Sequence, residues 1–340
     1  MGFNYIEYVK RGNNPLLLEE EMNPEMPPPS KSELREWLKK YYIISDDDIE
    51  AVVAVLKSDY LTGGPAVAAF EHAFAKKVGS RYAVACSSGT AGLHMAAIAL
   101  DLGENDAVIV PTVTFLATAN APHYTGAKII FADVDEQTGL LTEDTLLKAI
   151  ERAANENLKA IFPVHLNGAC VDMDMIHAIA EQYQLAVVED ACHAIGGSYD
   201  NNSYTIGACA HSDMAVFSLH PVKTIAMGEG GVVTTNSEEI YKKLCLIRNH
   251  GMHRDAGLFV QDHEAFDKDG SVNAWYYEMP SPGYNYRASD IHCALGLSQL
   301  NKLDDFHSKR QFLADFYLRK LKGLTPLLMP VPLQSDCQSG

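Results

Sequence analysis

Basic residues are scarce in this 340-residue chain: Lys and Arg total 27 against 44 Asp and Glu, so the formal net charge is −17. A surface with this excess of negative charge would on average repel a nucleic-acid backbone or an anionic bilayer. We therefore expect neither nucleic acid nor a membrane as a partner. The rest of the composition, 47% hydrophobic and 21% charged, is typical of a globular protein with a large core.

Several motifs are also missing. The seven cysteines form no CxxC pair and cannot all be bridged, which favours free thiols in a reducing compartment, and we expect a cytoplasmic protein. The chain has no GxGxxG and no GxxxxGK[ST], which counts against a Rossmann dinucleotide site and a P-loop. The amino terminus lacks the pattern of a secretory signal.

Two segments, residues 82–100 and 107–127, contain no Asp, Glu, Lys or Arg. Both contain hydroxyl groups, and the second contains two prolines, so hydrocarbon would leave polar groups unsatisfied. We interpret them as strands, turns and helices buried inside a soluble protein. Composition sets residues 1–40 apart as an extension rich in Glu and Pro. We expect the rest to form a large domain (41–250) and a smaller carboxyl-terminal domain (251–340).

Strand-like and helix-like segments alternate from Ser45 onward. Several of the strand candidates are apolar throughout, as strands covered on both faces must be. This alternation predicts an α/β fold with a mainly parallel sheet of seven strands wrapped by helices. The predicted strands are Tyr82–Cys86, Ala107–Val110, Lys128–Phe131, Ala160–Val164, Leu185–Val188, Met214–Ser218 and Gly231–Thr235. The predicted helices include Thr142–Ala154, Met173–Tyr183, Ser237–Arg248 and Ser289–Leu321.

Ligands bind such sheets at the carboxyl ends of the strands. After the first strand, the small residues Ser87, Ser88, Gly89 and Thr90 lead into a helix. Small side chains let backbone N–H groups approach an anion, and the helix amino terminus adds partial positive charge. The turn is therefore a candidate phosphate site, although an ordinary tight turn would have the same composition.

The strand Leu185–Val188 is followed by the acids Glu189 and Asp190. Because side chains alternate faces along a strand, the two carboxylates cannot point into one pocket. One of them could pair with a cationic ring nitrogen, with the nearby His193 beside it. Alternatively, an acid at this position is a helix cap.

A single lysine, Lys223, follows Ser218 by five residues and precedes a glycine cluster. Most lysines are solvated surface residues, but this one lies between two apolar strands at the ligand-binding edge, where its amine could act as a nucleophile. An amine, an acid on an earlier strand and an anion-binding turn are together what pyridoxal 5'-phosphate requires.

The order of these motifs resembles that of the DegT/DnrJ/EryC1/StrS family, a branch of the aspartate aminotransferase-like, fold-type I pyridoxal phosphate enzymes. The resemblance covers residues 42–321. It rests on Ser58-Asp-Tyr-Leu-Thr-Gly-Gly-Pro65, Ser88-Gly-Thr-Ala91, Glu189-Asp-Ala-Cys-His-Ala194, Phe217-Ser-Leu-His-Pro-Val-Lys223, Gly228-Glu-Gly-Gly231, Arg248-Asn-His-Gly251 and Gly283-Tyr-Asn-Tyr-Arg-Ala-Ser-Asp290.

The resemblance implies a role for each matched residue. Lys223 would carry the cofactor covalently and move the substrate proton, Asp190 would pair with the ring nitrogen, and His193 would lie beside both. Phe115 would stack on the ring. The phosphate would be held by Thr90, Ala91 and Ser218 and, from the second subunit of a homodimer with shared sites, by Asn285 and Arg287.

The same resemblance implies the reaction. The Phe217–Lys223 motif is most similar to enzymes that transfer an amino group from glutamate to C4 of UDP-linked 4-keto-6-deoxy-N-acetylhexosamines, as in pseudaminic acid synthesis. Family members usually continue beyond Leu321, so the resemblance implies that the small domain (251–340) is incomplete. A second interpretation is therefore a homologue that binds the cofactor but turns over little. A third is an NAD-dependent sugar epimerase or dehydrogenase. We expect no metal at His250, His253 and His263.

Overall fold

The structure, a computed structural model, describes residues 44–200 and 203–321. The predicted amino-terminal extension, residues 1–40, lies outside the described residues, as does the chain after residue 321. The predicted domain boundary near residue 250 stays a prediction. The strands are β1 Tyr82–Cys86, β2 Asp106–Pro111, β3 Lys128–Ala132, β4 Asn157–Ile161, β5 Ala186–Asp190, β6 Ser198–Tyr199, β7 Tyr204–Thr205, β8 Met214–Ser218 and β9 Gly231–Thr235.

An α-helix lies between each consecutive pair of strands from β1 to β5. Five of the described α-helices begin at a Ser, Thr or Asp whose side-chain oxygen accepts a backbone N–H of the first turn, namely Ser88, Thr142, Asp172, Ser237 and Ser289. The α-helices are α1 Asp46–Leu56, α2 Pro65–Val78, α3 Gly89–Ala99, α4 Leu116–Tyr124, α5 Glu143–Arg152, α6 Met173–Tyr183, α7 Glu238–Arg248, α8 Asp262–Ala265, α9 Asp290–Leu300 and α10 Leu303–Leu321.

Seven of the strands form one sheet in the order β1-β9-β8-β5-β4-β2-β3. Strand β9 is antiparallel to both its neighbours, and every other adjacent pair is parallel. Six strands therefore point the same way, and their carboxyl ends share one edge of the sheet. The predicted seven-stranded, mainly parallel α/β fold is confirmed.

The sheet is buried on both faces. Along β2, Ile109 belongs to one apolar cluster while Val108 and Val110 belong to the other. This alternation follows from the two-residue period of side chains along a strand. Helices cover each face, which explains the apolar runs Ala107–Val110 in β2 and Met214–Phe217 in β8.

Three details differ from the sequence prediction. Strand β4 begins and ends about three residues earlier than expected. It ends before Pro163, which has no N–H for a sheet ladder. The single helix predicted over Ser289–Leu321 is two helices, interrupted at Asn301 and Lys302, where no Gly or Pro marks the break. The short antiparallel pair β6–β7 was not predicted.

Candidate active site

The carboxyl edge of the sheet brings most of the predicted site residues together. Strands β5 and β8 are hydrogen-bonded neighbours and end at Asp190 and Ser218. Strand β1 ends at Cys86 and leads into the small-residue turn, and β2 leads into the segment that contains Phe115. Residues from four separate parts of the sequence therefore line one edge, as the parallel topology requires.

The small-residue turn is the start of helix α3, with Gly89 buried and Thr90 exposed. The hydroxyl of Ser88 accepts the N–H of Ala91 at 3.1 Å, so this amide is already engaged within the turn. Gly89 and Thr90 occupy the first two positions of α3, where helix geometry provides their N–H groups with no intrahelical partner. Their amides, together with the partial positive charge of the helix end, are suited to an anion.

Gly89 allows this turn to lie against β8 and β5. A Cβ atom at position 89 would lie 2.8 Å from Cβ of Ser218 and 3.1 Å from Sγ of Cys192. Real Cβ atoms do not approach so closely, and a backbone atom of Ser218 lies only slightly further away. A glycine is therefore needed for Ser218 to come next to the helix start.

Asp190 is held by two donors. Its side chain is almost fully buried, and Oδ2 accepts the hydroxyl of Thr118 at 2.6 Å. Oδ1 accepts the backbone N–H of Cys192 at 3.2 Å. An ionised carboxylate offers about four lone-pair positions, so Asp190 can accept one more donor, such as the protonated nitrogen of a pyridine ring.

Glu189 points to the other face of the sheet, as expected from the alternation along β5. Its Oε2 lies 2.9 Å from Nε2 of His165, and its Oε1 accepts the hydroxyl of Ser212 at 2.5 Å. Because Nδ1 of His165 accepts the N–H of Val171 at 3.3 Å, the ring proton lies on Nε2 and is donated to Glu189. The buried carboxylate is thereby satisfied away from the site.

The charges of Lys223 and Asp190 both shift the pKa values of His193 and Cys192. Burial lowers the pKa of His193, the positive charge of Lys223 lowers it further, and the carboxylate of Asp190 opposes both. Burial also raises the pKa of the Cys192 thiol well above its usual value, with Asp190 reinforcing this shift and Lys223 opposing it. The amine and the carboxylate are therefore both within electrostatic range of His193 and Cys192.

The Lys223 segment is a closed loop. The N–H of Leu219 donates to the carbonyl of Gly230 at 2.8 Å, and the N–H of Met227 donates to the carbonyl of Leu219 at 2.9 Å. The N–H of Lys223 donates to the carbonyl of His220 at 2.8 Å, and Nη2 of Arg310 donates to the carbonyl of Lys223 at 3.3 Å. This loop places the half-buried lysine beside the strand end that carries Ser218.

The residue predicted to stack on the ring and the two predicted to reach a second subunit have different surroundings. Phe115 immediately precedes α4 and is 66% exposed, so its ring face is open to a ligand. Arg287 lies beside the end of β1, opposite Cys86, and its Nη1 donates to Oδ1 of Asn249 at 2.8 Å. Asn285 is exposed. The predicted reach of Asn285 and Arg287 to a second subunit stays a prediction.

Sequence reasoning missed Thr118 as a component of the site. It lies one turn into α4, and nothing in its local sequence indicates that its hydroxyl meets a carboxylate 72 residues later in the chain. Within residues 44–200 and 203–321, no group of three or more His, Cys, Asp or Glu side chains is placed to hold a metal ion. In the same part of the chain, no helix combines the length and apolar character needed to cross a membrane.

Three comparisons place these features among known proteins. The DegT/DnrJ/EryC1/StrS aminotransferase family profile matches residues 42–339. An uncharacterized protein of Methanocaldococcus jannaschii is 38% identical over 288 residues, which are 84% of this chain and 70% of that protein. The fold is similar to that of the putative sugar aminotransferase Spr1654 from Streptococcus pneumoniae (TM-score 0.78, 26% identity, 87% of this chain and 75% of that one). It is also similar to Helicobacter pylori PseC (TM-score 0.72, 30% identity, 87% and 73%).

The cofactor prediction is confirmed by the same comparisons. The matched family depends on pyridoxal 5'-phosphate, and the S. pneumoniae neighbour has been solved in its PLP and PMP forms. The described residues fit this group: the amine of Lys223 suits its aldehyde, the remaining acceptor position of Asp190 suits its ring nitrogen, and the amides of Gly89 and Thr90 suit its phosphate. The chain is a pyridoxal phosphate-dependent transaminase and belongs to the DegT/DnrJ/EryC1/StrS aminotransferase family.

Proposed function

We propose that this transaminase transfers the amino group of glutamate to the C4 carbonyl of a UDP-linked 4-keto-6-deoxysugar. The observation that carries the proposal is that the neighbouring parallel strands β5 and β8 end at Asp190 and Ser218, while Lys223 and Asp190 both lie within electrostatic range of His193. The sugar substrate is supported by the neighbours: one is described as a putative sugar aminotransferase, and PseC as an aminotransferase involved in pseudaminic acid biosynthesis.

Each proposed residue has its own task. When bound, pyridoxal 5'-phosphate supplies an aldehyde that takes up the amino group and a ring that withdraws electron density. Lys223 would hold this group and then move a proton to or from the substrate carbon, and Asp190 would keep the ring nitrogen protonated. His193 would steady Asp190 and Phe115 would cover the ring face. Thr90, Ala91 and Ser218 would hold the phosphate.

The phosphate cup would be completed by Asn285 and Arg287 of a second copy, so we propose a homodimer with shared sites. The exposure of Asn285 is compatible with this role. We also propose a cytoplasmic location, which the free cysteines among the described residues support.

A two-step assay tests the substrates separately. The purified protein is first mixed with glutamate alone, and conversion of bound PLP to PMP is followed by absorbance. A panel of UDP- and dTDP-linked keto sugars is then added, and products are identified by mass spectrometry. We expect a UDP-linked 4-keto sugar to gain an amino group, with no product from Lys223→Ala.

The two steps fail in different ways. Conversion with glutamate but no product from any keto sugar would contradict the sugar substrate and leave the amino donor standing. That result would favour the homologue that binds the cofactor with little turnover. Conversion with other amino acids but not with glutamate would contradict the proposed donor.

A further inference from the structure

Thr118 connects two residues that the proposed function places on the cofactor. Its hydroxyl donates to Oδ2 of Asp190 at 2.6 Å, and its backbone N–H donates to the carbonyl of Phe115 at 3.2 Å. One residue is therefore bonded both to the carboxylate proposed for the ring nitrogen and to the residue proposed for the ring face. Thr118 itself is fully buried.

The direction of these hydrogen bonds is fixed by proton counting. An ionised carboxylate only accepts, so the single hydroxyl proton of Thr118 points to Asp190. The hydroxyl of Thr114 lies 2.7 Å from that of Thr118, which has no second proton to give. Thr114 must therefore donate to Thr118, and the three groups form a one-way chain from Thr114 through Thr118 to Asp190.

The hydrogen bonds from Thr114 through Thr118 restrict the orientation of the Asp190 carboxylate. The N–H of Cys192 holds Oδ1 from the backbone of the strand end, and Thr118 holds Oδ2 from a different element. With both oxygens fixed, the carboxylate plane cannot rotate without leaving a buried hydroxyl unpaired, which is costly. The remaining lone pairs of Asp190 are therefore held in one direction.

We propose that Thr118 is a positioning residue for the transaminase reaction, aligning the Asp190 carboxylate with the cofactor nitrogen and fixing it relative to Phe115. The inference rests on the proposed function of Asp190 and Phe115. Thr118 acts through Asp190 and does not need to touch the cofactor.

The test compares variants of Thr118 by cofactor binding and spectrum. Thr118→Val keeps the shape and removes the hydroxyl, and Thr118→Ala removes it without placing a methyl group against the carboxylate. Thr118→Ser keeps the donor. Thr125→Val is the matched control, because Thr125 ends the same helix and its hydroxyl donates only to the nearby carbonyl of Pro122 among the described contacts.

Each purified protein is titrated with PLP, and the absorption band of the bound cofactor is followed against pH. We expect Thr118→Val and Thr118→Ala to weaken PLP binding about tenfold, the usual effect of losing a hydrogen bond to a charged group. Both should also move the pH midpoint of the band. Thr118→Ser and Thr125→Val should retain the wild-type affinity and midpoint.

A purely structural role for Thr118 would lower the unfolding temperature but leave the pH midpoint unchanged, and this result would overturn the inference. Thr118→Ala decides the question if Thr118→Val does not fold. Because no sugar is present, failure of this test is distinct from failure of the proposed function, which would appear as a wild-type protein that does not aminate keto sugars.

Discussion

Oγ1 of Thr118 lies 2.6 Å from Oδ2 of Asp190, and this contact joins helix α4 to the end of strand β5. The two residues are 72 positions apart in the sequence. Helix α4 begins directly after Phe115. The contact therefore fixes the position of the Phe115 segment relative to the end of β5. As a result, the residue proposed for the cofactor nitrogen, Asp190, and the residue proposed for the ring face, Phe115, are held in a fixed relative position.

Replacement of Asp190 by Asn tests the charge at this position. The Asn amide oxygen can still accept from Thr118, but the neutral amide lacks the negative charge that would keep a ring nitrogen protonated. We expect a loss of activity of about a hundredfold or more, the usual effect of removing one preorganised electrostatic contact. Single-turnover kinetics with glutamate measure it; a rate within about threefold of wild type would contradict the role of Asp190.

Replacement of Gly89 by Ala tests the close approach of the turn to β8. The added Cβ would lie 2.8 Å from Cβ of Ser218 and would have to displace the helix start. We expect destabilisation of about 1–3 kcal/mol in urea unfolding, together with weaker PLP binding.

Gly103→Ala is the matched control, because a Cβ at Gly103 would meet no atom within 4 Å. We expect it to change the free energy of unfolding by less than about 0.5 kcal/mol. Equal effects of the two substitutions would show that the helix start does not depend on the contact with Ser218.

The titration of His193 tests whether Lys223 and Asp190 share a site. In the cofactor-free protein, Lys223→Ala removes a positive charge and should raise the pKa of His193, and Asp190→Asn should lower it. NMR titration of the imidazole measures both shifts, with Lys128→Ala as a distant surface control. An unchanged pKa in Lys223→Ala would separate the amine from this site.

The lowered pKa of His193 also fixes a sign for stability. The unfolded chain binds the proton more readily than the folded one, so protonation favours unfolding. The free energy of unfolding therefore falls as the pH drops below about 6.5, the pKa of His193 in the unfolded chain. The loss levels off once the pH is below the pKa of His193 in the folded protein. Lys223→Ala should reduce this acid-dependent loss, as measured by urea unfolding between neutral and acidic pH.

A mostly buried ion pair between Glu71 and Arg248 supports the strand that leads into the turn. Oε1 of Glu71 accepts the N–H of Ala85 at 2.8 Å, and Nη1 of Arg248 donates to the Ala85 carbonyl at 2.8 Å. The pair thus satisfies both backbone groups of one residue in the edge strand β1. We expect Arg248→Met to destabilise the protein by about 3 kcal/mol, because it leaves Glu71 unpaired.

The exposed pair of Lys148 and Asp144 on α5 provides the control for this measurement. Lys148→Met should cost less than about 1 kcal/mol in urea unfolding, as exposed ion pairs usually do. If Arg248→Met costs no more than Lys148→Met, the backbone of β1 does not depend on the ion pair.

Much of the fold could be predicted because its signals are local. Continuous apolar runs such as Ala107–Val110 indicate strands buried on both faces, and Ser or Thr followed by acids indicates helix starts. The break between α9 and α10 could not be predicted, since Asn301 and Lys302 are compatible with a helix. The early start of β4 could not be predicted either, since Asn157 and Lys159 are polar and exposed.

In the candidate site, too, the features with local sequence signals could be predicted and those that depend on tertiary contacts could not. Lys223 and Asp190 could be placed at one edge because parallel strands end together. The contact of Thr118 with Asp190 and the approach of Gly89 to Ser218 depend on tertiary packing between segments distant in sequence. No periodicity or spacing encodes such pairs, so only the structure shows them.

The most direct test of the account is to find the residue that carries the cofactor. The protein loaded with PLP is reduced with borohydride and digested, and the peptides are identified by mass spectrometry. The account predicts a pyridoxyl group on the ε-amine of Lys223 and none in Lys223→Ala. A pyridoxyl group on a different lysine, or bound cofactor that borohydride fixes to no lysine, would contradict it.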